Sequence, residues 1–88
     1  MRARRLEIVD QYVEDGRAAV YTTGGMVLLL SELATSAWTV IGNDWVAATE
    51  VARSLVQEFG QPAEGRTDEL TEESLRSLAE MGLIQLEA

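Results

Sequence analysis

The chain contains no cysteine, no histidine and no lysine, and a single proline. Without cysteine or histidine neither a disulfide nor a conventional zinc site can staple the fold, so it must hold by packing alone. The same absences remove thiol nucleophiles and imidazole acid–base chemistry. Missing lysine excludes an internal Schiff base and a P-loop lysine. Carboxylates, hydroxyls and seven arginines remain, and no glycine-rich phosphate cradle or paired-carboxylate motif stands out among them. The expectation is a chain with no catalytic residues, no metal and no cofactor.

Positive charge is scarce as well. Fifteen acidic residues against seven arginines give a formal net charge of −8, and such a surface repels the phosphate backbone that supplies most nucleic-acid affinity. Nucleic acid is therefore not an expected partner. No stretch approaches the ~20 apolar residues of a membrane span, and the N-terminal "MRARRLEIVD" passes from a basic cluster into alternation without a signal-peptide core. The reading is a cytosolic protein with no membrane partner. At 88 residues the chain forms one domain, residues 1–88, and a domain of this size buries roughly 60 to 70% of the surface its unfolded form exposes.

The N-terminal third reads as strands. "RLEIVDQYVE" is rich in β-branched and aromatic residues, and Asp15-Gly16 after it is a strong hairpin signal, because a type I′ turn needs positive φ at both central positions. A second strand follows over Arg17 to Thr22. Gly24-Gly25 turns the chain into a third strand, Met26 to Leu30. From Ser31, a well-placed N-cap, the period changes to helical: Leu33, Ala34, Ala37, Trp38 and Ile41 share a stripe, and Gly42-Asn43-Asp44 ends the helix. A second helix covers about Ala47 to Phe59, with Ala48, Val51, Ala52, Leu55 and Phe59 on one face and Gly60 as its stop before Pro62. "GQPAEGRTD" is a linker. The third helix lies in "DELTEESLRSLAEMG", its acidic residues massed in the first turn and Gly82 at its end. Either Asp68 or Thr71 is placed to cap it, and with Thr71 as cap Leu70 and Leu75 would form a hydrophobic staple. "LIQLE" forms a short terminal strand or a packed tail. The fold class is α+β: a three-stranded antiparallel sheet followed by three helices.

Two features are more apolar than a small fold needs. The third strand, Met26, Val27, Leu28, Leu29 and Leu30, is greasy on both faces. On a helical wheel the third helix places Leu70, Ser74, Ser77 and Met81 on one edge, Leu78 at the centre, and Leu75 and Ala79 on the other edge. That arc covers roughly half the circumference, wider than the ~100° stripe that faces a core. One explanation is a strand covered on both sides and a helix buried over half its girth. The other is that the third strand lies at the sheet edge, its backbone N–H and C=O groups free beside an apolar helix flank. Proteins usually blunt such edges with charge or proline, and this strand carries neither. An open edge beside an apolar groove suits β-augmentation, in which a visiting peptide completes the ladder and fills pockets along the helix. Ordering such a peptide costs about 2 to 5 kcal/mol, so several apolar anchors are needed. The same edge could pair with a second copy of the chain.

Trp38 reads as core, and Trp45 as a lid over the core or a partner contact. Tyr12 and Tyr21 read as a cross-strand pair. The acidic set Asp68, Glu69, Glu72 and Glu73 is either a solvated helix start or an attraction for basic groups on a partner.

The order of elements, with Leu30-Ser31-Glu32-Leu33 opening the first helix, Glu50-Val51-Ala52 through Leu55 to Phe59-Gly60 in the second, and Leu78-Ala79-Glu80-Met81-Gly82-Leu83-Ile84 closing the third, resembles the PqqD-like family, the recognition elements for precursors of ribosomally made, modified peptides. Ser31 stands where that family commonly has Asn, and Ala47 where it has a Thr cap. The resemblance implies a winged helix-turn-helix-like domain that performs no chemistry. It implies capture of a precursor's leader peptide as a strand beside the third strand and against the third helix. The ladder would come from backbone groups of Val27, Leu28 and Leu29, within a peptide-binding set of Met26, Val27, Leu28, Leu29, Leu30, Asp68, Leu70, Ser74, Ser77, Leu78 and Met81. It also implies delivery to a maturation enzyme: a leader peptidase, a cyclase or a radical-SAM enzyme, with stand-alone chains of this length found in lasso-peptide pathways. Two other classes compete. A winged-helix DNA-binding regulator would need a basic recognition helix, and the third helix offers only Arg76 against several acids. A structural subunit of an enzyme complex would bind no free peptide.

Overall fold

The computed structural model describes residues 1–62 and 66–88. The order of elements is β1 (Arg2–Arg5), β2 (Ile8–Glu14), β3 (Arg17–Thr22), β4 (Val27–Leu29), α1 (Glu32–Val40), β5 (Val46–Ala47), α2 (Ala48–Phe59), α3 (Thr67–Glu80) and β6 (Ile84–Glu87). The fold is α+β, with three helices and two antiparallel three-stranded sheets, ordered β2-β3-β4 and β5-β1-β6. Of the expected linker "GQPAEGRTD", residues 63–65 lie outside the described residues.

The meander forms where turn chemistry demands it. Asp15 and Gly16 both adopt positive φ, 53° and 77°, as a type I′ turn requires. Four residues, Thr23 to Met26, join β3 to β4: the Thr22 N–H donates to the Met26 carbonyl at 2.9 Å, and the Thr22 hydroxyl accepts from the Met26 N–H. Only Gly25 of the two glycines takes positive φ. Tyr12 faces Ala19 and Tyr21 faces Asp10, so the two tyrosines are diagonal neighbours rather than a directly opposed pair.

Where β4 ends, α1 completes its ladder. The Ala18 N–H donates to the buried Thr35 hydroxyl at 2.9 Å, while the Leu30 N–H donates to the Ala18 carbonyl at 2.8 Å. Thr35→Val keeps the shape but orphans a buried N–H. We expect it to destabilise the chain by about 1–3 kcal/mol, read as a fall in the urea midpoint at unchanged slope. Ser31 caps α1 as its sequence position predicts, accepting from the Ala34 N–H at 3.1 Å; Ser31→Ala should cost about 1 kcal/mol by the same measurement.

The second sheet is absent from the sequence reading, which treats the N-terminus as a basic cluster and leaves "LIQLE" open between strand and tail. β1 lies between β5 and β6, with Ala3 opposite Val46 and Leu86. Ala3 is fully buried. Its neighbours Arg2 and Arg4 point to the other face, where their guanidinium groups sit 4.7 and 4.8 Å from the Trp45 ring centroid, and Arg2 pairs with Glu87. Trp45, half-buried, is thus held by β1's arginines. Arg5 turns inward, 3.7 Å over the ring of Trp38, and donates to the Trp38 carbonyl at 2.8 Å; burial lowers its pKa.

The core joins both sheets to all three helices through Ala3, Val20, Leu30, Trp38, Ile41, Val51, Leu55, Leu75, Leu78, Leu83 and Ile84. α3 begins at Thr67 with no side-chain cap. Neither Asp68 nor Thr71 caps it: Asp68 lies in the first turn and Thr71 is buried within the helix, so the Leu70–Leu75 staple does not form. Gly82, φ 79°, stops it as expected.

Candidate peptide-binding groove

β4 alternates strictly. Val27 and Leu29 point outward, 54% and 73% exposed, while Leu28 packs on the core and Leu30 is 1% exposed. The inner face is apolar because it seals the core, whereas the outer apolar face is left uncovered. Among the described residues β4 pairs only with β3. Its other edge is open, and β6 pairs with β1 rather than closing over it.

The register decides which backbone groups face that open edge. Leu30 and Met26 bond to Ala18 and Thr22 across the ladder, so Leu28, opposite Val20, also directs its N–H and C=O to β3. Val27 and Leu29 occupy the alternate positions, and their N–H and C=O groups point away from the sheet. The expected ladder of Val27, Leu28 and Leu29 therefore reduces to Val27 and Leu29. The backbone of Leu28 is already satisfied within the monomer.

Alongside lies a trough of about 650 Å³ between the β4–α1 junction and α3. Its walls include Leu29, Leu30, Leu33, Ala34, Leu70, Ser74, Ser77, Leu78 and Met81. The arc of α3 divides: Leu75 goes to the core, Leu78 is fully buried beneath the trough, and Leu70, Ser74, Ser77 and Met81 line it. Small serines on that edge keep the trough open where larger side chains would fill it. Glu73, Arg76 and Glu80 stand along it as polar groups.

Of the sequence-derived site residues, Leu29, Leu30, Leu70, Ser74, Ser77, Leu78 and Met81 meet at this trough. Met26, Val27 and Leu28 do not line it, although Val27 contributes its outward backbone groups. Asp68 lies elsewhere, in a shallow cleft with Thr49, Ala52 and Arg53 of α2, because it sits two helical turns before Leu75 on the side of α3 that faces α2. Leu33 and Ala34 were missed as site residues. They belong to the apolar stripe of α1, and periodicity alone does not separate a trough wall from a core position. The acidic set also divides: Glu73 stands at the trough, and Glu69 pairs with Arg66 at 3.5 Å.

Among the described residues no group of acidic side chains is arranged to hold a metal ion, and no helix is long and apolar enough to cross a membrane. No protein-family model, no curated protein and no solved structure matches this chain.

Proposed function

We propose that this chain is a non-catalytic peptide-binding module of winged-helix-like build. In this reading it captures the leader segment of a ribosomally synthesised precursor peptide by strand addition to β4 against α3, and delivers it to a maturation enzyme such as a leader peptidase, cyclase or radical-SAM enzyme. The observation that carries this reading is the coincidence of an open β4 edge with the apolar trough beside it. The outward N–H and C=O groups of Val27 and Leu29 supply a ladder for any extended guest. Specificity then comes from the guest's side chains against Leu29, Leu33, Leu70 and Met81. From Leu70 to Met81 the helix rises about 16 Å, which about five residues of extended chain span. A short linear segment is thus the right size of ligand.

The test is a titration of the isotopically labelled chain with candidate leader peptides, followed by amide shifts. Expected are saturable shifts at Val27, Leu29 and along the Leu70 to Met81 face. Shifts confined to α2 and the β5-β1-β6 sheet would overturn the assignment. Self-pairing through the β4 edge must overcome repulsion between two chains of net charge −8, so sedimentation at low salt should show a monomer. The regulator reading predicts DNA retardation in a low-salt gel shift; the acidic α3 leads us to expect none.

A further inference from the structure

A second apolar pocket, of about 200 Å³, opens between the C-terminal end of α2 and the N-terminal end of α3. Leu33, Leu55, Val56, Phe59 and Leu70 form its walls, and the Thr67 hydroxyl donates to the Gln61 side-chain oxygen at 3.2 Å at its margin. Leu33 and Leu70 belong to both this pocket and the β4–α3 trough, so the two are one continuous apolar surface. Phe59 is 46% exposed although it occupies the apolar stripe of α2, and Leu33 is also partly exposed. The core leaves both side chains at the surface. An apolar cavity of about 150 Å³ holds a benzene molecule, so this pocket has room for one phenyl ring or one branched aliphatic side chain.

We propose that this pocket receives a single bulky apolar side chain, aromatic or branched aliphatic, of the same peptide that adds to β4. The inference rests on the strand-addition reading. Its occupant is set by the continuity with the trough: a chain lying along α3 reaches the pocket at Leu70 without leaving apolar surface. Among the described residues the pocket's walls carry no charge, which disfavours a charged anchor on desolvation grounds. The strand positions supply affinity for extended backbone in general, and this pocket selects among peptides.

The experiment selects binders to the full chain from a phage-displayed library of random linear peptides. One enriched peptide is then titrated into the methyl- and amide-labelled protein. Enriched sequences should share an aromatic or branched residue at a fixed offset from the strand-forming segment. Alanine at that residue should weaken binding about tenfold or more. The parent peptide should shift the Leu55 and Val56 methyls together with the Val27 and Leu29 amides. Val56→Phe, which fills the pocket, should weaken the parent peptide to the level of the alanine peptide and leave the alanine peptide unchanged. Thermal melts of the variant check that it folds, and Val56→Met serves as a second filling variant if Val56→Phe does not. If the peptide moves the β4 amides but not the pocket methyls, the pocket inference fails while strand addition stands. If it moves neither, or no peptide is enriched over an unrelated protein, both fail.

Discussion

Leu29→Pro leaves the fold intact and lowers peptide affinity by about tenfold or more, equivalent to about 1.4 kcal/mol. The Leu29 N–H points to the open edge and bonds to nothing among the described residues, and proline is tolerated on edge strands where the N–H faces solvent. The substitution removes one ladder bond to the guest and sets a ring where the guest backbone must approach. Leu28→Pro is the control. Its N–H faces Val20 within the sheet, so proline there breaks the meander, and the melting temperature falls along with binding. The pair is measured by circular dichroism melts and by calorimetric titration of one peptide. Equal loss of stability in both variants would contradict the register, and undiminished binding by a folded Leu29→Pro chain would contradict strand addition.

The largest stability effect is expected at Trp38. Its side chain is 1% exposed at the centre of the core. Truncation of a buried Trp to Ala costs about 3–5 kcal/mol, against a total of about 5–15 for a typical domain, and small domains have little to spare. Trp38→Ala should therefore be largely unfolded or close to it. Trp38→Phe should cost much less, under about 2 kcal/mol. The buried indole N–H has no acceptor among the described residues, so deleting it relieves an unmet desolvation cost that offsets part of the lost packing. Phenylalanine also keeps a ring face for the Arg5 guanidinium. Urea unfolding of the three proteins gives the ranking, and a Phe variant as damaged as the Ala variant would refute the role given to the orphaned N–H.

Much of the fold was legible because it is local. The Asp15-Gly16 turn, the Ser31 cap, the stripes of α1 and α2 and the Gly82 stop each follow from residues within a few positions of one another. The width of the α3 arc also carried real information, since its Leu70–Met81 edge is the one left outside the core. The β5-β1-β6 sheet was not legible. β1 buries the small side chain of Ala3 between two outward arginines, a pattern that reads as surface, and its partners lie far along the chain: Arg2 meets Glu87 across 85 positions. The start of α3 was misread for a related reason, because an Asp or Thr can cap a helix only if the chain before it turns there, and the helix begins at Thr67.

The sequence by itself determined where the β2-β3-β4 meander and the three helical stripes lie, which residues are apolar, and that the chain carries no thiol, imidazole or lysine chemistry. Periodicity and turn residues settle such matters locally. Only the tertiary structure decided which apolar positions stay uncovered. Whether Leu33 or Phe59 is core or wall, and whether Val27, Leu28 or Leu29 offers its backbone outward, depends on ladder register and on where helices come to rest against a sheet. Those are relations between segments distant in the chain, and local spacing does not encode them.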